Sequence, residues 1–454
     1  MTNSNNSTKA TWDTVSVSEE WHDKPIPMRG RLGFKEPAIV WAGFGVAFIC
    51  AVIGGIIQQG LGTINAIWAI IVGNLILFVY AAAIGYPAGK WGLNFPLTIK
   101  AVFGGKGSYI PIAILALLVT GWFAFHSWLT GDIIKVAFGI ENKFAVGLIA
   151  AGAALLYGIP VIYGIKSMSL VRKIAIPAMV LFAAYYIVTK VIPAGAQIWT
   201  QEGTGAIGFW TGVSMAWATY AVSGTMTGDI VRYTRNGEQA IWVTAVAFVF
   251  SNAPFMILGA IISAAVGDST VQYFLDSPSL SVLIPIAMLG LLSTWSTADA
   301  CLYNAALGFT NAFTALNWRK AAYLGLVLGA IAAGTGIVGS VVDFLLLIGL
   351  VVPPIGAVII ADYFVVRRGV GFSTFREDHV NIAAIVATLA GLGAGYLISQ
   401  AYPNFIFGIP GIVVGASAYL VLWKVAGNKL GANLSTKTST AESEDQQTSV
   451  AVAP

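Results

Sequence analysis

"ATYAVSGTMTGD" (218–229) lies inside an apolar run near 208–230 that is long enough to cross a bilayer, yet its middle holds Ser223, Gly224, Thr225 and Thr227. Glycine weakens a helix, and small hydroxyl side chains can satisfy the backbone groups that an interrupted helix sets free. The same composition also suits close packing of an unbroken helix against a neighbour. A second stretch of this kind occurs near 37–57, where "AVIGGIIQQG" (51–60) carries Gly54 and Gly55 followed by Gln58 and Gln59. These are the first and sixth apolar runs. They correspond if the chain repeats every five helices, the arrangement in which interrupted helices of two inverted bundles meet at the bilayer midplane.

The rest of the chain supports a membrane setting. Of 454 residues, 57% are hydrophobic and only 10% charged, whereas soluble domains carry about a quarter charged residues. Twelve runs are long enough to span, near 37–57, 63–86, 109–129, 144–164, 168–190, 208–230, 239–266, 281–309, 321–340, 342–365, 380–400 and 405–424. None shows the alternation of a barrel strand, so helices are expected. With residues 1–36 inside, the inner segments hold 21 of the 24 Lys and Arg residues, and only Lys135, Lys143 and Lys190 fall outside. That bias predicts a multi-pass protein of the cell (inner) membrane with both termini cytoplasmic. The net charge of +4 follows from this topology and calls for no nucleic-acid partner. No cleavable leader is expected, because residues 1–36 are polar.

The expected organisation is a cytoplasmic segment (1–36), a first five-helix repeat (37–200), a second inverted repeat (201–365), helices eleven and twelve (366–425) and a disordered tail (426–454). Cys50 and Cys301 both fall within spans and read as small packing residues, not as a disulfide or metal pair.

Three places carry candidate chemistry. "LLSTWSTADACLYNAALGF" (291–309) aligns Ser293, Ser296 and Thr297 on one helical stripe. Such hydroxyls suit a hard monovalent cation if unwound carbonyls of the first span complete the shell; alternatively they bond back to carbonyls of their own helix. Asp299, a carboxylate deep in a span, is read first as a lock between helices and second as a proton carrier. Asp229 precedes Arg232 by three residues, which predicts a local ion pair. In "VTGWFAFHSWLTGD" (119–132), Trp122 and His126 share a helical face one turn apart.

"GTMTGDIVRYTRN" (224–236), "WSTADACLYNAALGF" (295–309), "PPIGAVIIADYF" (353–364), "VGNLILFVYAAAIGY" (72–86) and "FGGKGSY" (103–109) together resemble the nucleobase–cation symporter-1 family, its cytosine permease branch above all. The resemblance runs from about residue 30 to 425. It implies an all-α integral membrane protein of twelve transmembrane helices, with the inverted five-helix repeat of the leucine-transporter-like architecture plus two C-terminal helices. It also implies import of a nucleobase or related ring amide, coupled most often to sodium. By resemblance, sodium sits on the hydroxyls of Ser296 and Thr297, the backbone oxygen of Ser293 and backbone oxygens near Phe44 and Ala47. Trp122 matches the tryptophan that stacks on the planar substrate, as suits a wide polarisable indole. His126 falls where the hydantoin-carrying branch has a glutamine, and neutral imidazole offers one donor and one acceptor. Thr219, Tyr220 and Ser223 are the expected further wall. The cytosine branch has a glutamine at the position of Val119 and asparagines at those of Ala298 and Ala300, so cytosine itself is demoted. Hydantoins, allantoin, creatinine-like lactams and hydroxymethylpyrimidines stay open.

The expected function is therefore secondary transport by alternating access, with Na+ as coupling ion, no cofactor and no obligate protein partner. The near alternative is proton coupling through Asp299 or His126. An intramembrane enzyme is remote, because nothing in the sequence brings Asp229 and Asp299 together.

Overall fold

The computed structural model describes residues 21, 24–163, 165–268, 280–313, 315–336, 340–370, 372, 377–427 and 429–432. Most of the expected tail, and Lys9, Arg376 and Lys437 of the inner basic set, lie outside the described residues. Regular structure among those described is helical, apart from one antiparallel bridge between Gly62 and Glu202. Among the described residues nine helices are long and apolar enough to span a bilayer, and one bent pair makes ten. The other two expected spans are an interrupted stretch and a helix that opens on Trp318-Arg319-Lys320, so the architecture is compatible with twelve.

The bent pair is the first span. Helices α1 (Lys35–Gly45) and α2 (Phe48–Leu61) meet at 51°. Val46 (φ −97°, ψ 68°) and Ala47 (φ −111°, ψ 141°) leave helical geometry, so the ladder of backbone bonds lapses there. The interruption is thus not at Gly54 and Gly55, which lie inside α2. A Cβ on Gly54 would come within 2.0 Å of the Met256 carbonyl oxygen, and one on Gly259 within 2.1 Å of that of Ala51. In α2 the close-packing reading of the glycines holds.

The chain continues as α3 (Thr63–Trp91), the short α4 (Phe95–Phe103), α5 (Tyr109–Phe138), α6 (Lys143–Tyr163) and α7 (Ile165–Tyr186). Helix α5 runs well past the expected end at 129, so Asp132 and Lys135 pair near its C-terminal end, 3.6 Å apart. The sixth span comes in three pieces: α8 (Phe209–Ala218), α9 (Ala221–Thr225) and α10 (Gly228–Val231). Its breaks fall at Thr219–Tyr220 and Met226–Thr227, inside the stretch quoted first. Then follow α11 (Gly237–Ala247), α12 (Ala253–Val266), α13 (Leu280–Ala312), α14 (Trp318–Thr335), α15 (Val341–Ala361), α16 (Ile382–Ala401) and α17 (Ile409–Ala426). A wider turn, Phe248–Asn252, joins α11 to α12, and Asn252 donates from it to Asn74 Oδ1 at 2.7 Å.

The buried polar bonds fix how these helices meet. Asp229 Oδ1 accepts from Phe95 N at 2.8 Å, at the start of α4, instead of pairing with Arg232. Arg232 donates to the Trp21 carbonyl (3.0 Å) and the Tyr233 hydroxyl (3.1 Å). The helical spacing is kept, Arg232 N donating to the Gly228 carbonyl at 3.1 Å, but the expected pair fails because the guanidinium is turned to Trp21 and Tyr233 instead. Just past α15, Asp362 pairs with Arg367 Nε at 2.6 Å and accepts from the Tyr419 hydroxyl at 2.6 Å. That contact ties α17 to the ten-helix body. Asp299 is fully buried. Large apolar side chains such as Trp68, Leu117, Phe250 and Leu397 are exposed on the outside, as a lipid-facing surface requires.

Candidate functional site

A small cavity, ≈ 20 Å³, lies where both interrupted spans cross α5 and α13. The first break supplies Phe44 and Ile49, and the sixth-span break supplies Thr219, Tyr220 and Ser223. Helix α5 contributes Val119, Trp122 and His126; α13 contributes Thr297, Cys301 and Asn304. All five residues expected around a substrate therefore border one space. Of the five expected around a cation, Phe44 and Thr297 border it too, while Ala47, Ser293 and Ser296 are not among its lining residues.

The rings are held by their neighbours. Trp122, 6% exposed, meets Phe344 edge-on at 5.3 Å and Phe125 at 5.9 Å, with His126 tilted at 6.1 Å. Tyr220 lies edge-on to Phe44 (5.8 Å) and tilted against Phe248 (5.9 Å), and its hydroxyl donates to the Phe44 carbonyl at 2.5 Å. The tyrosine thus spans the two breaks and satisfies a carbonyl released by the first. Cys50 Sγ lies 3.5 Å from that hydroxyl. Thr219 spends its hydroxyl on the Met215 carbonyl (2.8 Å), so it offers the cavity no free donor. His126 is buried, and its Nδ1 has no partner among the described residues.

The cation candidates form a second layer. Ser293 Oγ accepts from Phe48 N at 3.0 Å, which caps α2 across the break and binds it to α13. The hydroxyls of Ser296 (3.0 Å) and Thr297 (3.2 Å) both donate back to the Ser293 carbonyl. The back-bonding alternative is therefore the geometry observed. It also holds both hydroxyl oxygens within 3.0–3.2 Å of the Ser293 carbonyl oxygen. The Phe44 carbonyl lies at the C-terminal end of α1, where partial negative charge gathers. Ala47 O accepts from Cys50 N at 2.9 Å. Every oxygen of the set is neutral, which suits a monovalent ion. Among the described residues there is no cluster of His, Cys, Asp or Glu fit to hold a metal.

Sequence reasoning missed three lining residues. Cys301, read as packing, forms cavity wall, and Ile49 and Asn304 were not singled out. Extending the hydroxyl stripe of α13 from Ser293 and Thr297 by further helical turns reaches 301 and 304. Ala298 and Ala300 are buried away from the cavity, whereas Val119 borders it. No charged side chain is among the lining residues.

A family model described as permease for cytosine/purines, uracil, thiamine, allantoin matches residues 26–422. The chain is 29% identical over 420 residues to the cytosine permease of Escherichia coli, covering 91% of this chain and 97% of that one. It is 26% identical over 326 residues to the hydantoin permease of Microbacterium maritypicum, covering 65% and 64% respectively. Among solved structures it resembles a nucleobase-cation-symport-1 family transporter in a closed conformation with bromovinylhydantoin bound. The TM-score is 0.77 at 21% identity, over 94% of this chain and 98% of that one. The inward facing conformation of the same transporter gives 0.78 at 20% identity, over 94% and 96%. At such identities the likeness is one of fold, the inverted-repeat, leucine-transporter-like arrangement.

Proposed function

The chain belongs to the permease family for cytosine and purines, uracil, thiamine and allantoin, and on that premise we propose that it imports a nucleobase or related planar nitrogen heterocycle by sodium symport. It is a transporter, not an enzyme. The observation that carries the proposal is the meeting of both interrupted spans at one cavity that Trp122 walls on one side and Tyr220 on another. In this reading the ring stacks on Trp122, with His126 and Ser223 at its edge. Sodium takes the oxygens of Ser293, Ser296 and Thr297 together with the backbone oxygens of Phe44 and Ala47. The relatives named for cytosine and hydantoin support the substrate class. The bias of basic residues supports an inner-membrane protein with both termini in the cytoplasm.

The cavity is enclosed by its own lining, with Trp122, Tyr220 and His126 each at most 6% exposed, so a ring reaches it only when the walls part. The breaks at Val46–Ala47 and Thr219–Tyr220 are where helices can pivot without losing further backbone bonds. Sodium bound across α1, α2 and α13 would set the first break in one geometry and so prepare the wall for the ring. One sodium entering down 100 mV supplies about 2.3 kcal/mol, enough to concentrate a neutral solute about fiftyfold.

Binding separates the two ligands. A thermal-shift screen of purified protein against nucleobases, hydantoins and lactams should give ring-dependent stabilisation. Trp122→Ala should abolish that stabilisation while sodium still raises the melting temperature. Ring binding that survives in Trp122→Ala removes the stacking assignment.

A further inference from the structure

The register between α5 and α13 places one side chain that the reading above does not use. These helices run antiparallel. The Thr130 hydroxyl lies 3.0 Å from that of Thr294, and a Cβ on Gly308 would come 2.7 Å from the Cβ of Ala116. Both contacts fix the same register, which sets residue 126 level with 298, residue 122 with 302 and residue 120 with 304. Asn304 therefore stands at the inner end of the cavity beside Val119, and His126 stands at the outer end, with Trp122 between them. At a rise of about 1.5 Å per residue, the two polar side chains are about 9 Å apart along the helix axis. That separation suits one ring with a hydrogen bond at each end.

We infer that Asn304 reads the cis-amide edge of an uncharged lactam, whose opposite edge faces His126. A carboxamide carries a donor beside an acceptor, as a lactam edge does, so the two can pair through two hydrogen bonds. The lining carries no charge, and of its remaining polar side chains Thr219, Tyr220 and Thr297 already donate to carbonyls of the protein. An ionised substrate would lose its hydration there without a counter-charge, which selects neutral rings. On the facing helix Val119 is apolar and Thr120, level with Asn304, spends its hydroxyl on the Ala116 carbonyl at 2.8 Å, which leaves the amide of Asn304 as the donor at that end.

This inference rests on the proposed substrate cavity and is tested by a ratio that the broader reading does not fix. Binding of uracil and 2-pyridone is measured against 1,3-dimethyluracil and N-methyl-2-pyridone, with orotate as the charged counterpart. The assay is thermal shift in sodium, on the wild type and on Asn304→Leu. In the wild type, N-methylation should weaken binding about 10- to 100-fold, and orotate should not bind. In Asn304→Leu the parent lactams should weaken by a similar factor, and the penalty of N-methylation should fall below threefold. A merely structural role for Asn304 would leave that penalty unchanged, and such a result overturns the inference. If the variant does not fold, the wild type still decides, because equal binding of a lactam and its N-methyl form overturns it too. Ring binding without discrimination defeats this inference alone, whereas no ring binding at all defeats the substrate cavity as well.

Discussion

Tyr220→Phe isolates the bond that spans the two breaks. The hydroxyl donates to the Phe44 carbonyl at 2.5 Å, and the residue is 5% exposed, so water has little access. Phenylalanine keeps the ring contacts with Phe44 and Phe248 and removes only the donor. A buried acceptor left without its donor costs about 1–3 kcal/mol. Unfolding entropy near 2.1 cal/mol/K per residue gives about 1 kcal/mol/K for a chain of this length. The variant should therefore melt about 1–3 °C below the wild type in choline buffer. Sodium changes the outcome, because an ion at the first break supplies the Phe44 carbonyl with a positive partner. In saturating sodium the deficit should shrink to less than half its value in choline. Paired melting curves of both proteins in each salt, at one pH and ionic strength, give the four numbers required. An equal deficit in both salts would refute the placement of the cation on the Phe44 carbonyl.

Other side chains give equally direct tests. Gly54→Ala should lose about 1–3 kcal/mol or more, or fail to accumulate, because its Cβ would fall 2.0 Å from the Met256 carbonyl oxygen and overpacking carries a cost of that order. Gly152→Ala, with nothing within 4 Å of its Cβ, should be neutral or stabilise by up to about 1 kcal/mol; similar melting temperatures for the two would undo the account of α2 against α12. Arg31 donates to the carbonyls of Ile26, Gly89, Lys90 and Thr234, so Arg31→Lys, which loses the planar fork, should speed hydrogen exchange over residues 24–33 by tenfold or more. Asp229→Asn keeps an acceptor for Phe95 N and should melt within about 1 kcal/mol of the wild type, whereas Asp229→Ala should lose about 1–3 kcal/mol. Equal stability of those two would show that the cap on α4 carries no weight.

How far the sequence predicted these features depended on whether the deciding interaction was local. The membrane-spanning helices were legible, because length and apolarity are properties of the chain itself. The sixth-span break was legible too, since Ser223, Gly224, Thr225 and Thr227 announce weak helix. The glycines misplaced the first break, although the resemblance set its free backbone oxygens near Phe44 and Ala47. Val46 and Ala47 carry no local signal, and what holds the chain open there comes from elsewhere: Ser293 caps Phe48 N and Tyr220 satisfies Phe44 O. Gly54 drew attention for the right composition and the wrong cause. Asp229 failed in the same way, its three-residue spacing to Arg232 overruled by the amide of Phe95, 134 positions away in the chain. Trp122, His126, Thr219, Tyr220 and Ser223 were placed by resemblance, and the structure gathers them at one cavity. Asn304 was overlooked because an amide near the inner end of a span reads as an interfacial residue until the register with α5 is known.

The most direct test of sodium-coupled ring transport is uptake by proteoliposomes of whichever labelled ring stabilises the protein, at fixed pH, with an inside-negative potential and either sodium or choline outside. The account predicts concentrative uptake in sodium, loss of at least nine-tenths of it in choline, and no uptake in Trp122→Ala under either salt. Equal uptake in sodium and choline would contradict it, and a rate that instead followed an imposed pH gradient would move the coupling to a proton.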